Sequence, residues 1–322
     1  MGEITVIGAG VIGLSIAHEL AAAGHRVRIL AAQDAAGSVS AVAAAIWFPH
    51  DVDPSAQVLD SAQVTYHRLE RLARRPETGV RMRAGTVLVR RADTDTSWTR
   101  AVPGCEVLGY AQLPGGIAAA EGTSGLRCTM PLAVTGAYLR WLRAAVLALG
   151  VRMHVTEVRS VQQVLEQGEP DAVVVACGIR SAALLGDDDQ TFPIRGQVVR
   201  LLNPGLTEWV IDDDNPEGLT YVVPRDRDVV CGGTDEPGSW DERVNPETEQ
   251  AILRRVRALV PALAAQPIVS RAVGLRPARS TVRLGAVAGY DRPVFACYGH
   301  GGAGFTLSWG DAARIAALIG PA

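Results

Sequence analysis

Hydrophobic and polar residues alternate in short blocks along this chain, and the blocks predict a mixture of strands and helices. Glu3–Ile7 is an apolar run rich in β-branched residues, which is typical of a strand. A helical period follows through Ile16 and Leu20, and Gly24 ends it before a second strand expected at His25–Leu30. The chain therefore opens on a β-α-β unit.

The rest of the pattern divides into helix-and-strand stretches and one strand-rich stretch. Helices are predicted at Ala56–Leu72, Thr135–Leu149, Pro246–Val260 and Phe305–Leu318. Strands are predicted at Arg81–Arg90, Val151–Val155, Ala172–Cys177, Gly196–Leu202, Leu219–Pro224, Asp228–Gly232 and Val294–Tyr298. The pieces of one α/β region thus lie at the start, middle and end, with a sheet-rich region interleaved between them.

Three glycines stand between the first strand and the first helix. Gly8, Gly10 and Gly13 follow the G-x-G-x-x-G spacing. The first permits a tight turn, the second lets a pyrophosphate approach the backbone, and the third lets helix and strand pack closely. In this strand–turn–helix context the spacing predicts a dinucleotide site.

The expected acid at the end of the second strand is missing. That position normally binds the ribose hydroxyls, but here the strand runs into Ala31-Ala32-Gln33-Asp34. Gln33 can hydrogen-bond a ribose, Asp34 can reach it if the turn is displaced, or backbone groups alone can hold it. The sequence leaves these alternatives open.

A second glycine-rich stretch, Tyr298–Thr306, precedes the last predicted helix. Glycine is retained where a ligand must touch bare backbone. A glycine turn that opens a helix also directs N–H groups and the positive end of the helix dipole at one spot, which suits an anion. The alternative is a plain helix entrance with no ligand.

Composition narrows the setting. The 322 residues suffice for two domains, and a net charge of −3 without a basic block argues against nucleic acid as a partner. No apolar run is long enough to span a bilayer, so no membrane association is expected. Five cysteines lack metal-binding spacing, which predicts no metal and a reduced cytoplasm, with one disulfide left open. The chain has no lysine, which excludes Schiff-base chemistry and a P-loop lysine.

Over nearly its whole length the chain resembles the D-amino-acid oxidase family of FAD flavoproteins. The resemblance rests on VIGAGVIGLS at 6–15, AAAIWFP at 43–49, GAYLRWL at 136–142, VVVACG at 173–178, RGQVVRL at 195–201, YVVPR at 221–225, CGGT at 231–234, GLRPAR at 274–279 and YGHGGAGFT at 298–306. It implies an α/β fold with a Rossmann-like FAD-binding domain at 1–75, 136–195 and 276–322. A substrate domain with a mixed or antiparallel sheet is implied at 76–135 and 196–275.

The resemblance also implies three substrate-binding residues for a D-amino acid. Arg276 forms a two-point salt bridge with the carboxylate, which suits the planar guanidinium fork. Tyr221 donates its hydroxyl to the same carboxylate, and the Gly302 carbonyl accepts from the amine. Hydride then passes from Cα to flavin N5, O2 reoxidises the flavin to give hydrogen peroxide, and the imino acid hydrolyses to a 2-oxo acid and ammonia.

The implied FAD-binding set covers both glycine stretches and the segments that pass the flavin, the pyrophosphate and the adenine. It comprises Gly8, Ala9, Gly10, Ile12, Gly13, Ala32, Gln33, Ser38, Ser40, Ala44, Ala45, Ile46, Val158, Cys177, Gly178, Gly301, Gly304, Phe305 and Thr306. Cys177 ends an apolar strand, so we expect it to pack rather than act as a nucleophile. His300 is expected to be structural, because the implied reaction needs no general base.

The chain departs from the family pattern where many members place a second tyrosine. The positions that we compare hold Glu217 and Asp235. If Asp235 and Glu236 face the substrate, they repel an acidic side chain and favour neutral or basic D-amino acids. Alternatively both are solvated turn residues. A glycine- or sarcosine-type amine oxidase and a non-catalytic dinucleotide-binding protein are the alternative functions, and a monomer or homodimer is expected.

Overall fold

The structure, a computed structural model, describes residues 2–50 and 52–322. These residues form two compact units. Unit 1 contains the residues up to Val80, Ala133–Pro193 and Arg276–Ala322, and unit 2 contains Arg81–Leu132 and Ile194–Leu275. Each unit is therefore assembled from segments that are distant in sequence.

The described residues form a mixed α/β fold, as the sequence predicted. The strands are β1 (Glu3–Ile7), β2 (Arg26–Ala31), β3 (Val80–Val89), β4 (Glu106–Leu108), β5 (Ser124–Ala133), β6 (Arg152–Val155), β7 (Ala172–Val175), β8 (Phe192–Leu202), β9 (Trp209–Asp212), β10 (Thr220–Pro224), β11 (Asp228–Gly232), β12 (Glu236–Pro237), β13 (Ile268–Val287) and β14 (Val294–His300). The helices are α1 (Val11–Ala22), α2 (Val39–Val42), α3 (Ala56–Leu72), α4 (Thr135–Ala148), α5 (Val161–Gly168), α6 (Arg180–Leu185), α7 (Pro246–Leu259) and α8 (Gly304–Ile319).

A parallel sheet in the order β14-β7-β1-β2-β6 is the centre of unit 1. The second part of β13 adds an antiparallel strand, pairing Val287 with Val294. All four residues of β7 are buried, which explains its uninterrupted apolar sequence. Because the five central strands run in the same direction, their carboxyl ends meet at one edge of the sheet.

Helices cover this sheet through apolar stripes at helical spacing. In α5, Val161, Val164 and Leu165 pack against the buried strand residues. Helix α8 packs against both α1 and α3. A Cβ on Gly310 would lie 2.2 Å from the Ser61 carbonyl oxygen, so only glycine permits this close approach of α8 to α3.

Unit 2 contains strands in the order β4-β5-β3-β9-β10-β11-β8, with β12 also paired to β8. Helix α7 buries Ile252, Val256 and Leu259 in the core cluster of this sheet. Cys105 and Cys128 form a disulfide. They face each other one position beyond the Glu106–Arg127 pair of β4 and β5, so the structure contains the one disulfide that the sequence left open.

Strand β13 is the main element that the sequence pattern did not predict. It runs for 20 residues and contains Pro277 and two glycines, which normally interrupt strands. Its pairing with β14 shifts register between Ala278 and Arg283, which accommodates the irregular sequence. Among the described residues, no helix combines the length and hydropathy needed to cross a membrane.

Candidate active site

The carboxyl edge of the unit 1 sheet gathers most of the predicted cofactor-binding residues. Each of the five parallel strands contributes one group that begins within three residues of its end. These groups are Gly8–Gly13 with Ala9 and Ile12 after β1, Ala32 and Gln33 after β2, Val158 after β6, Cys177 and Gly178 after β7, and Gly301 after β14. The end of such a parallel sheet is where nucleotides bind in α/β folds.

The turn after β1 has the backbone that its glycines predict. Gly8 has a φ of 121°, which side chains disfavour. A Cβ on Gly8 would lie 2.3 Å from the Ala176 carbonyl oxygen, and one on Gly13 would lie 2.1 Å from the Gly8 carbonyl oxygen. The turn is therefore pressed against β7 and α1, and a larger residue at either position would displace it.

A serine hydroxyl lies at the N-terminus of α1. The Val11 N–H donates to Ser40 Oγ at 3.0 Å, and no residue in the first turn of α1 is acidic. Ser40 Oγ thus accepts a hydrogen bond from an N–H group at the start of α1, and a diphosphate oxygen is an acceptor of the same kind. Ser38 differs, because its hydroxyl donates to the Ala35 carbonyl oxygen at 2.6 Å within a local turn.

The turn after β2 contains Gln33 and Asp34, the two side chains that the sequence offered for binding a ribose. The Asp34 carboxylate accepts from the N–H groups of Ala36 and Gly37 at 3.1 and 3.2 Å, so it caps a short helical turn. Gln33 donates through Nε2 to the Gly37 carbonyl oxygen at 2.6 Å. The Asp34 carboxylate is therefore occupied by backbone N–H groups. Gln33 is exposed, and its amide oxygen faces the same turn.

The segment Ala44–Ile46 is held in an unusual conformation. Ala45 has a φ of 55° although it carries a side chain, and its carbonyl oxygen accepts from the Ala133 N–H at 2.9 Å. Just beyond it, Thr306 accepts from the Phe48 N–H at 3.0 Å and donates to the Phe48 carbonyl oxygen at 2.8 Å. Strain of this kind is found where a backbone is fixed for a ligand.

The second glycine stretch brings two of the predicted substrate-binding residues together. Gly301, with a φ of 51°, donates its N–H to the Pro277 carbonyl oxygen at 2.8 Å. Arg276 and Gly302 are the immediate chain neighbours of these two bonded residues. Gly302 is exposed, and a Cβ on it would lie 2.8 Å from the His50 ring. An exposed glycine and an arginine therefore stand on the two chain segments that this hydrogen bond joins.

A buried carboxylate supports the same pair of strands. Asp188, whose side chain is 0% exposed, accepts from the Tyr298 hydroxyl at 2.8 Å and from Arg279 Nε at 3.1 Å. Arg283 donates to Asp187 at 2.6 Å and to the Tyr298 hydroxyl at 2.9 Å. Arg279 and Arg283 are thus engaged in one network joining β13 and β14.

The network sets the protonation states of its members. Burial would raise the pKa of Asp188, but hydrogen bonds from Thr191, Tyr298, Gln190 and Arg279 outweigh it and hold that pKa well below its usual range. Burial and the bond to Asp188 both raise the pKa of the Tyr298 phenol. Asp188 is therefore an anion and Tyr298 a donor over the whole working pH range.

Three further buried groups lie between β14 and α8. His300 Nε2 is 3.0 Å from Asp311 Oδ2, and both side chains are buried. Cys297 lies within 4.8 Å of both, and burial raises the pKa of its thiol well above the usual value. Burial likewise raises the pKa of the Cys177 thiol, which shares a hydrogen bond with the Ser181 hydroxyl. Neither cysteine has the low pKa of a nucleophile.

Tyr221, the third predicted substrate-binding residue, belongs to unit 2. It pairs with Gly232 across β10 and β11. A Cβ on Gly232 would lie 2.1 Å from Tyr221 Cζ, and one on Gly233 would lie 2.9 Å from Cε1. The ring therefore rests directly on the backbone of the two glycines.

The acids near Tyr221 differ in their surroundings. Glu236 binds the buried Arg195 at 2.8 Å, so its charge is paired rather than free to act on a ligand. Glu217 is exposed in the turn before β10, where its N–H donates to Asn215 Oδ1 at 2.9 Å. Pairing with Arg195 was not predicted, because the two residues are 41 positions apart.

Several residues that shape the site were missed by the sequence reasoning. Asp188 had no local signal, because its partners are 91 and 110 positions away. Gly232 and Gly233 were quoted as part of a motif but not given a role. Arg255 had a readable signal, since it occupies the apolar stripe of α7 between Ile252 and Leu259.

Comparison with known protein families matches residues 3–318 to the FAD dependent oxidoreductases. The chain belongs to this family. The family's cofactor, FAD, fits the residues present: the glycine cradle that a Cβ would fill, the Val11 N–H and the Ser40 hydroxyl suit a diphosphate. The strained Ala45 segment and the N-terminus of α8, with Gly304, Phe305 and Thr306, would hold the flavin.

Individual relatives of this FAD-dependent oxidoreductase match over its full length. The D-amino-acid oxidase of Rubrobacter xylanophilus is 42% identical, with 100% of this chain and 97% of that protein covered. The D-amino-acid oxidase of Streptomyces coelicolor is 38% identical, with coverage of 98% and 97%. Glycine oxidase from Bacillus cereus has the same fold, with a TM-score of 0.83, 22% identity and coverage of 99% and 95%.

Proposed function

We propose that this protein oxidises D-amino acids to 2-oxo acids, ammonia and hydrogen peroxide, with FAD as cofactor and O2 as electron acceptor. The observation that carries the proposal is the Gly301–Pro277 hydrogen bond of 2.8 Å, which joins the residue before Gly302, an exposed glycine, to the residue after Arg276. An α-amino acid carries its carboxylate and its amine on one carbon. A guanidinium beside a carbonyl acceptor matches both groups at once.

Each of the three residues has one task. Arg276 binds the carboxylate through its planar fork, and Tyr221 donates its hydroxyl to the same group. The Gly302 carbonyl accepts a hydrogen bond from the amine, which leaves the Cα–H bond as the remaining free direction and so orients it. FAD, when bound, supplies the acceptor for the two electrons of that bond and returns them to O2. None of these protein groups has to donate or remove a proton at Cα.

The stereochemical preference follows the two relatives named D-amino-acid oxidase, which span the whole chain at 42% and 38% identity. The likeness to glycine oxidase is at 22% identity and supports the fold alone. We therefore keep glycine and sarcosine as competing substrates in the test rather than as the main proposal.

For the side chain, we propose that neutral or basic D-amino acids are preferred over acidic ones. Asp235 follows Gly232-Gly233-Thr234 on the chain beside Tyr221, and its negative charge disfavours a second carboxylate on the substrate. The preference rests on one carboxylate and is expected to be moderate. D-Aspartate turning over as well as D-alanine, D-valine or D-arginine would contradict it. Monomeric or homodimeric state and cytoplasmic location stay predictions.

One experiment tests the proposed reaction. The purified FAD-loaded protein should be yellow, and D-alanine added without O2 should bleach it while L-alanine should not. Readmitting O2 should restore the colour with one hydrogen peroxide for each substrate oxidised. Faster bleaching by glycine or sarcosine would favour the amine-oxidase alternative. A folded, FAD-loaded protein that none of these compounds bleaches would contradict an enzymatic function.

A further inference from the structure

The ring of Tyr221 packs on two residues, Gly232 and Gly233, that have no side chains to hold their own backbone in place. The phenol rests on Gly232 and Gly233, and a Cβ on Gly232 would lie only 2.3 Å from the hydroxyl oxygen. Glycine is the most flexible residue type. Gly232 is fixed by strand pairing with β10 and β8, whereas Gly233 lies beyond the end of β11 and holds its place only if another group fixes its backbone.

Arg255 supplies that group from helix α7. Its Nη2 donates to the Gly233 carbonyl oxygen at 2.7 Å and to the Leu219 carbonyl oxygen at 3.2 Å. Its Nε donates to Thr220 Oγ1 at 3.2 Å. Leu219 also accepts from the Gly233 N–H at 3.0 Å. One guanidinium therefore joins the residues just before Tyr221 to the residue just after Gly232.

The arrangement is costly for a residue whose only purpose is stability. Arg255 is 8% exposed, and within the described part of the chain its hydrogen bonds go to neutral oxygens, with no carboxylate among them. Burying a cation is expensive, and Glu217, the acid that acts electrostatically on Arg255, is itself exposed to solvent. The neighbouring Arg254 points to solvent, so the charge of this helix does not require burial.

We propose that Arg255 is a positioning residue that fixes the Gly232–Gly233 backbone and thereby the hydroxyl of Tyr221. This rests on the proposed function, in which that hydroxyl donates to the substrate carboxylate. Loss of the guanidinium frees the Gly233 carbonyl and the strand end beneath the ring. The hydroxyl, at the far end of the side chain, moves most, so substrate binding weakens more than the oxidation step.

The test uses the FAD-loaded enzyme with Arg255→Met and Arg255→Lys, each made in the wild type and in Tyr221→Phe. Arg255→Met is expected to raise KM for D-alanine about tenfold and to change kcat less than about twofold, as for one lost hydrogen bond to a charged group. Binding of benzoate, a carboxylate with no oxidisable Cα–H, should weaken by the same factor in a flavin absorption titration. Arg254→Met is the matched control and should change neither.

The conservative Arg255→Lys variant and the Tyr221→Phe background distinguish a positioning role of Arg255 from a purely structural one. Arg255→Lys keeps the charge and some donors, so its KM should rise by only about threefold, and it carries the test if Arg255→Met does not fold. In the Tyr221→Phe background, the Arg255 change should alter KM and benzoate affinity by less than about twofold, because the hydroxyl is already absent.

Two results overturn the inference for different reasons. Unchanged benzoate affinity in both Arg255 variants, or equal losses in both backgrounds, contradicts the positioning role while Tyr221→Phe alone still weakens binding. Unchanged KM and benzoate affinity in Tyr221→Phe itself contradict the proposed carboxylate contact, and the positioning role fails with it.

Discussion

Replacing Asp188 with asparagine is the most direct test of the network that supports β13 and β14. The carboxylate is fully buried and accepts from the Gln190 N–H at 2.9 Å, Thr191 at 2.6 Å, Tyr298 at 2.8 Å and Arg279 at 3.1 Å. An amide has one acceptor oxygen in place of two, and its NH2 faces groups that also donate. Arg279, 14% exposed, loses its anionic partner.

The expected loss follows from burial. Removing one partner of a buried ion pair costs about 3–5 kcal/mol, so Asp188→Asn should lower the free energy of unfolding by that amount. The adjacent Asp187→Asn is the matched control, because Asp187 is 44% exposed in its pair with Arg283. An exposed pair is worth less than about 1 kcal/mol. Thermal and denaturant unfolding of the FAD-loaded variants, followed by circular dichroism and flavin fluorescence, measure both.

The pH dependence of the free energy of unfolding gives a second, independent measure of the contribution of Asp188. Hydrogen bonds hold the pKa of Asp188 below its ordinary value of 3.8 in the folded protein, in spite of burial. The unfolded chain therefore binds the proton first as pH falls, and the contribution of Asp188 is present above pH 4 and is lost progressively below it. Asp188→Asn should be less stable at pH 7 and should show a flatter loss of stability below about pH 4. Equal destabilisation by the two variants, or an unchanged acid slope, would refute the reasoning.

Other predictions test separate parts of the structure. Denatured but unreduced protein should react with three equivalents of thiol reagent and reduced protein with five, because Cys105 and Cys128 are bonded; five without reduction would contradict this. Arg90→Met should lower the free energy of unfolding by about 3–5 kcal/mol, because the buried Asp212 loses its bidentate partner. Denaturant unfolding of the variant and the wild type measures the difference. His300→Asn should retain far more D-alanine oxidation than Arg276→Ala, and an inactive His300 variant that still holds FAD would contradict the structural role.

The sequence predicted the elements whose signals are local. The strand, glycine turn and helix at the N-terminus are specified within about twenty consecutive residues, because periodicity and glycine spacing act over short distances. Strand β13 lacked such a signal, since Pro277 and Gly274 interrupt its pattern and its strand character depends on pairing with β14. Pairing is a tertiary property, so a pattern of single residues does not predict it.

The same distinction applies to the candidate site. Glycines at the turn after β1 and in the last stretch were recognisable because their spacing is local. The partners that hold those turns were not, since they are distant in sequence: Gly301 is bonded to Pro277, and Thr306 to Phe48. A resemblance to a family transfers the residues that touch ligands more readily than the residues that support them.

A physical requirement links these supports in both units. A backbone that must approach a ligand closely needs glycine, and glycine gives up the side-chain packing that would otherwise fix it. Each glycine turn is accordingly tied by a hydrogen bond to a remote element: Gly8 N–H to Leu30, Gly301 N–H to Pro277 and the Gly233 carbonyl to Arg255. Because these bonds control where bare backbone or a neighbouring ring lies, their loss should alter ligand binding more than folding. Of these three supports, the one from Arg255 is made by a side chain, so a substitution can remove it without changing the turn itself.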